Sequence, residues 1–129
     1  GPKGPVLLDA ECAWYGDPAF DLALCLSHLL LDCVLLPQWR EHYLTCYSAL
    51  CAAYAQRVTW EIPEQTDERA ALLLPALVLS HAYGRVPSET LSRESDRERV
   101  AVMARRLLAD PVIRLSAVRE AWRHALSAQ

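Results

Sequence analysis

The sequence lacks several patterns that would identify a common class of functional site. None of its five cysteines forms a Cys-x-x-Cys pair, and their odd number disfavours a disulfide framework. It contains neither the Gly-x-Ser-x-Gly elbow of a hydrolase nor the His-x-x-x-His pair of a zinc site. Its net charge of −3 gives no electrostatic reason to expect binding to nucleic acid or to an anionic membrane. We therefore expect neither of these partners.

Long uninterrupted apolar runs are also missing. The longest are broken by His28, Asp32 and Pro37, so none resembles a membrane span. The N-terminus lacks the basic-then-apolar layout of a secretory signal peptide. We therefore expect a cytoplasmic protein whose cysteines are buried, reduced thiols.

The composition is typical of a globular protein. Apolar residues make up 53% of the 129 residues and charged residues 22%, which excludes a disordered chain. The sequence has no internal repeat, no low-complexity tract and no linker that would divide it. We therefore expect a single domain, residues 1–129, with a mainly α fold and a short N-terminal β element at residues 6–8.

The first predicted helix has the clearest boundaries. Asp17 is a good N-cap, and Pro18 suits the first helical position because its missing N–H would have no partner there. The helix should run to about Leu36. Because it is apolar nearly all round, we expect it to lie at the centre of the domain, covered on several sides.

Four more helices follow from the 3.6-residue spacing of apolar side chains. We predict them at about 38–57, 67–83, 93–109 and 110–127. Thr66 should cap the third, which should kink at Pro75. The expected inward side chains of the last two helices are Val100, Met103, Leu107, Leu108, Leu115, Val118 and Trp122.

The four histidines are widely spaced and suggest different environments. We expect His28, on the central helix, to be a hydrogen-bonded core residue, and His42 and His124 to lie at helix surfaces. His81 is the histidine that we consider as a candidate for lining a substrate cleft.

Two carboxylates follow the predicted strand. Asp9 ends the strand and Glu11 comes two residues later, a spacing at which both can bind one hard cation such as Mg²⁺. The alternative is that Asp9 caps a turn and Glu11 is simply exposed. The spacing alone would favour that alternative, because Asp-x-Glu is a weak motif.

The residues around these carboxylates form a longer pattern. The segment "LLDAECAWYGDPAFDLA" resembles the segment after the catalytic loop in the aminoglycoside phosphotransferase and choline kinase-like family, small-molecule kinases with a protein-kinase-like fold. The matching residues are Asp9, Glu11, Gly16-Asp17-Pro18 and Asp21-Leu22-Ala23. Ala10 departs from the pattern, since that position is often aromatic in the family. A weaker match is "GRVPSETL", residues 84–91.

The resemblance implies a role for three residues. Asp9 would hold Mg²⁺ against the β- and γ-phosphates of ATP, and Glu11 would be a second or auxiliary metal ligand. Asp21 would match a buried helix aspartate that accepts hydrogen bonds from the catalytic-loop backbone and anchors that loop. The alternative for Asp21 is stabilisation of the first helical turn by its charge. Asp17 is assigned to capping only.

The remaining parts of such an enzyme are absent from the sequence. The catalytic loop with its base aspartate should precede Asp9 and lies upstream of Gly1; the glycine-rich loop and the nucleotide-clamping lysine are also missing. The resemblance therefore implies the helical C-terminal lobe of a kinase-like phosphotransferase for a hydroxyl of an aminoglycoside- or choline-like acceptor, inactive as an isolated fragment.

Two expectations about partners accompany this hypothesis. The chain should pair with the missing N-terminal half or self-associate through an exposed apolar face. The alternative function is a non-catalytic helical domain that binds a partner. Trp39, Tyr43 and Glu89 are possible substrate neighbours, but the sequence assigns no acceptor-binding residue.

Overall fold

The computed structural model describes Gly4, Leu8 and residues 13–84 and 91–127. Helix accounts for 78% of the structure, so the predicted mainly α fold is confirmed. The described residues contain no strand, and most of the predicted β element, residues 6–8, lies outside them. The helices are α1 (Pro18–Leu35), α2 (Arg40–Ala55), α3 (Pro63–Tyr83), α4 (Glu94–Ala109) and α5 (Leu115–Ser127), with a 3₁₀ turn at Pro37–Trp39.

Helix α1 begins as predicted. The Asp17 side chain accepts a hydrogen bond of 2.9 Å from the Ala19 N–H, and Pro18 occupies the first turn. The helix ends at Leu35, immediately before Leu36 and Pro37. The cap therefore fixes where α1 starts, and the proline marks where it stops.

Helix α1 packs against α2, α3 and α4, which confirms its predicted central position. It is also long and apolar enough to cross a membrane, with 18 residues and a mean hydropathy of 1.6. We did not expect this from the sequence, because His28 and Asp32 interrupt the apolar run. Half of the helix is buried within the bundle, and the core helix of a soluble protein meets the same criteria.

Helix α3 begins earlier than predicted. Pro63 occupies its first turn, and the preceding Ile62 has extended backbone, so the chain enters the helix before Thr66. Thr66 is buried in the first turn and donates its hydroxyl hydrogen to Glu61 instead of capping the helix. The helix continues through Pro75, which is buried.

Helix α5 begins later than predicted. The N–H of Asp110 still bonds to the carbonyl of Arg106, so Asp110 ends α4 rather than capping the next helix. Leu115 begins α5, and its N–H lies 3.4 Å from a carboxylate oxygen of Asp67 on α3. Of the side chains expected inward on α4, Leu108 is instead 39% exposed.

The core joins distant helices through two buried aromatic side chains. The indole N–H of Trp122 on α5 donates to the carbonyl of Leu30 on α1 over 3.0 Å. The Tyr47 hydroxyl on α2 donates to the carbonyl of Leu115 over 2.9 Å. Both side chains are about 1% exposed, so these bonds are shielded from water.

Candidate functional site

One side of α1 remains uncovered by the other helices. Its residues recur every three or four positions, so they share one face of the helix. We call this surface the outer face of α1, and it consists of Phe20, Asp21, Leu24, Cys25 and, at its edge beside α3, His28. Leu24 is half-buried and the other four are exposed.

An open cleft of about 350 Å³ lies at the N-terminal end of this face. It is lined by Ala13, Trp14, Gly16, Asp17, Phe20, Asp21 and Leu24. Trp14 is 76% exposed, and its ring lies so close to Gly16 that a Cβ added there would be 3.0 Å from it. A side chain at position 16 would therefore require the Trp14 ring to shift by a few tenths of an ångström.

Asp21 is exposed on the first turn of α1 and makes no hydrogen bond or ion pair with any other described residue. Its environment thus differs from that expected of a buried helix aspartate. The helix N-terminus favours a negative charge at this position, as the alternative interpretation proposed. Its charge also acts across to α2, where burial and then Asp21 raise the pKa of Tyr54. The anchoring of a catalytic loop stays a prediction.

The two predicted magnesium ligands, Asp9 and Glu11, lie outside the described residues. So does Glu89, one of the possible substrate neighbours. Within the described ranges, no group of three or more His, Cys, Asp or Glu side chains could hold a metal ion. The Mg²⁺ site therefore stays a prediction from the sequence.

Asp17 does more than cap α1. Two nitrogens of Arg69 on α3 bind its carboxylate over 2.7 and 3.2 Å, and Arg69 also reaches Glu61 over 2.7 Å. The hydrogen bond to Arg69 lowers the pKa of both carboxyl groups. This cluster ties the start of α1 to α3, and Arg69, 52 residues from Asp17, carries no local sequence signal of that role.

The histidines of α1 and α3 form a pair that we did not predict. His28 is exposed rather than a core residue, and its ring centroid lies 4.7 Å from that of His81. His81 is half-buried and is hydrogen-bonded to buried Ser27, so it packs on α1 and does not line the cleft beside Asp21. The reason is that α1 and α3 pack directly against each other there.

The other predicted residues lie away from this cleft. Trp39 is 52% exposed and packs edge-on against His42, at a centroid distance of 5.2 Å. A larger groove of about 740 Å³ lies between the end of α4 and α5, with Trp122 among its lining residues. Of the residues that the sequence analysis singled out and the structure describes, Asp21, Trp39 and Tyr43 do not line that groove.

The cysteines are only partly as predicted. Cys33 is buried and Cys51 half-buried, and burial raises the pKa of each thiol to about 12. Cys25 and Cys46 are exposed, because they lie on helix sides that no other helix covers. All four described cysteines are free.

No family model, curated protein or solved structure was found to match this chain.

Proposed function

We propose that the chain is the helical C-terminal part of a cytoplasmic, ATP- and Mg²⁺-dependent phosphotransferase with a protein-kinase-like fold. Its acceptor is a hydroxyl of a small molecule of the aminoglycoside or choline type. The sequence pattern from Asp9 to Asp21 suggests this function. The observation that carries the proposal is the exposed carboxylate of Asp21, which lies beside an open, partly apolar cleft.

The surroundings of Asp21 suit a surface that another segment covers. Phe20 and Trp14 expose apolar rings beside the cleft, and contact with a second segment would remove that area from water. A carboxylate among such groups stays stable on burial only if N–H or O–H donors pair with it. A backbone loop that brings apolar contacts and amide donors meets both requirements, and the predicted catalytic loop is such a segment.

The Arg69 cluster would keep this surface in a fixed position. Arg69 holds Asp17 and Glu61 together, and Asp17 in turn caps the helix that carries Asp21. The Asp21 carboxylate is therefore attached to a helix start that is fixed against α3. Catalytic loops need such rigid supports, because a displacement of about 1 Å can cost roughly a hundredfold in rate.

Asp9 would supply the metal chemistry. Magnesium prefers oxygen ligands and is commonly held by one or two carboxylates together with substrate phosphates, which suits Asp9 and Glu11 with ATP. Ala13, which lines the cleft, is four positions after Asp9 in the sequence, and an extended chain over four positions spans at most about 14 Å. The ion would offset negative charge on the transferring phosphoryl group.

The N-terminal half of the enzyme would be the partner of the outer face of α1. It would contribute the base aspartate, the glycine-rich loop and the lysine, none of which this chain provides in the expected pattern. The chain alone should therefore transfer no phosphate.

The test begins with the coding sequence upstream of Gly1. We expect it to encode His-x-Asp followed closely by Asn. Protein that includes this segment should transfer the γ-phosphate of labelled ATP to an aminoglycoside or amino alcohol in the presence of Mg²⁺. Asp9→Asn should abolish turnover, whereas Asp96→Asn, the same change in the first turn of α4, should preserve it.

Two results would contradict the proposal. One is an upstream sequence without these residues, combined with no transfer to any acceptor. The other is turnover that survives Asp9→Asn. Turnover by the 129-residue chain alone would refute only the claim that it is inactive.

The second candidate is a non-catalytic helical domain that binds a partner through the same face. The exposed Phe20 and Trp14 favour it equally, because both functions need a covered apolar surface. Sedimentation of the chain alone should reveal self-association that Phe20→Glu weakens and Leu72→Glu, an exposed leucine on α3, does not. The upstream coding sequence and the phosphate-transfer assay separate the two candidates, since both candidates predict this association.

A further inference from the structure

Helices α1 and α3 meet through an unusual arrangement of polar side chains. The rings of His28 and His81 lie 4.7 Å apart between centroids, with their planes tilted by 57°. The hydroxyl of Ser27, which is fully buried, lies 3.0 Å from Nε2 of His81. The site thus joins a buried hydroxyl, a half-buried imidazole and an exposed imidazole.

The hydrogen bonds of Ser27 define the proton position on His81. Its hydroxyl oxygen also lies 2.7 Å from the carbonyl oxygen of Leu24, which can only accept. The single hydroxyl hydrogen therefore goes to Leu24, and Nε2 of His81 must carry the hydrogen that it donates to Ser27. Neutral His81 then has an unprotonated Nδ1, and a second proton taken up there gives the ring a positive charge.

Within the part of the chain that the structure describes, no carboxylate is hydrogen-bonded or ion-paired with His81 to neutralise such a charge. Burial lowers the pKa of His81 most, and the nearby His28 lowers it further. Asp32, one turn after His28 on α1, interacts electrostatically with His28. Tyr83, two residues after His81, lies on the opposite side of α3. The charged residues of α4 that contact Tyr83 are Glu94, Glu98 and Arg105.

We propose that this histidine pair is an acid-sensitive clasp, which holds the last turn of α3 against α1 at neutral pH and loosens when both rings are protonated. Protonation places two positive charges 4.7 Å apart and puts one of them in a partly desolvated position. Even in a water-like medium, repulsion at that distance changes an equilibrium constant by about fourfold.

The direction of the pH effect follows from linkage. The folded chain binds a proton on His81 less readily than the unfolded chain, whose His has an ordinary pKa of 6.5. The contribution of neutral His81 to stability is therefore complete above pH 6.5 and is lost as the pH falls through that value toward the folded pKa. Acidification should weaken the contact, and a rise in pH should restore it.

A double-mutant cycle tests the repulsion directly. Urea unfolding is measured at pH 7.5 and pH 5.0 for the 129-residue chain with His28→Gln, His81→Gln and both changes. Glutamine at position 81 retains an N–H donor for Ser27. We expect an unfavourable coupling of about fourfold in the unfolding equilibrium constant at pH 5.0, and less at pH 7.5. His124→Gln, at an exposed position of α5, should show no such coupling with His28→Gln. The same coupling at both pH values would overturn the proposal.

Titration of the imidazole signals by NMR keeps the test valid if His81→Gln fails to fold. In the wild-type chain His28 should hold the titration midpoint of His81 down, so His28→Gln should raise that midpoint. Amide exchange in residues 80–83, corrected for its intrinsic pH dependence, should increase on acidification in the wild type and less in His28→Gln. A His81 midpoint that His28→Gln leaves unchanged, or exchange that acid affects equally in both, would refute the clasp.

Discussion

Replacement of Asp21 by asparagine separates the two roles considered for this carboxylate. Asp21 is exposed and has no hydrogen-bond or ion-pair partner among the described residues. What the change removes from the chain itself is the favourable interaction of a negative charge with the start of α1, worth about 0.3–1 kcal/mol. We therefore expect Asp21→Asn to lower the free energy of unfolding of the 129-residue chain by no more than about 1 kcal/mol.

The same change should have a much larger effect on the complete phosphotransferase that we propose. There, Asp21 would accept hydrogen bonds from the catalytic loop, and a hydrogen bond to a charged group contributes about 1.5–3 kcal/mol. Loss of one such bond in the transition state lowers kcat by about 10- to 150-fold, because about 1.4 kcal/mol corresponds to tenfold. Asp21→Asn should thus be nearly neutral for folding and severe for catalysis.

The assay compares two measurements on the same variants. Urea unfolding followed by tryptophan fluorescence gives the stability of the 129-residue chain, and steady-state phosphate transfer gives kcat for the complete enzyme. Asp96→Asn is the matched control, since Asp96 also lies in the first turn of a helix. Loss of more than about 2 kcal/mol in the chain alone would mean that Asp21 has an internal partner. Equal kcat for the two variants would refute the anchoring role.

Two further predictions concern stability alone. Asp17→Ala removes both the cap of α1 and the pair with Arg69, whereas Asp17→Asn retains a capping oxygen. The free energy of unfolding in urea should therefore be about 1 kcal/mol lower for Asp17→Ala than for Asp17→Asn. Because the folded chain lowers the pKa of Asp17 from 3.8, the wild type should be more stable to unfolding than Asp17→Asn at pH 6, and this difference should shrink as the pH falls below 3.8. An undiminished difference in the free energy of unfolding at pH 2 would contradict this. Tyr47→Phe removes the buried hydrogen bond to the carbonyl of Leu115 and should lower the free energy of unfolding by about 1 kcal/mol. An unchanged urea midpoint would be evidence against that bond.

Local signals in the sequence located the helices but not all of their ends. Asp17 and Pro18 predicted the start of α1 correctly, because a cap and a first-turn proline act within three residues. The same Asp-Pro pattern at Asp110 predicted the wrong start for α5, which begins at Leu115. There the Asp110 N–H continues the hydrogen bonding of α4, and the start of α5 lies beside Asp67 from another helix. A local pattern cannot distinguish these two outcomes, since the distinction depends on tertiary contacts.

The contacts around the candidate site were less predictable for the same reason. Arg69 binds a carboxylate 52 residues earlier, and His81 contacts His28, which lies 53 residues earlier on α1. Apolar periodicity indicates which side of a helix is buried, but not which helix covers it. The sequence therefore predicted a central α1 and left its partner side chains undetermined.

The exposure of Asp21 changes the physical argument for its role. An acid that an apolar helix buries requires a hydrogen-bonding partner, because an unpaired buried charge is costly. On the outer face of α1 that cost is absent, so Asp21 does not need a partner among the described residues. The requirement for a partner arises only when another segment covers Phe20, Leu24 and the cleft and withdraws the carboxylate from water. An apolar partner surface without donors would then be disfavoured by Asp21, whereas a loop with free amide N–H groups would be favoured. The Asp21 carboxylate thus favours a covering segment that supplies N–H donors. A catalytic loop with free amide N–H groups meets this requirement, whereas an apolar surface without donors does not.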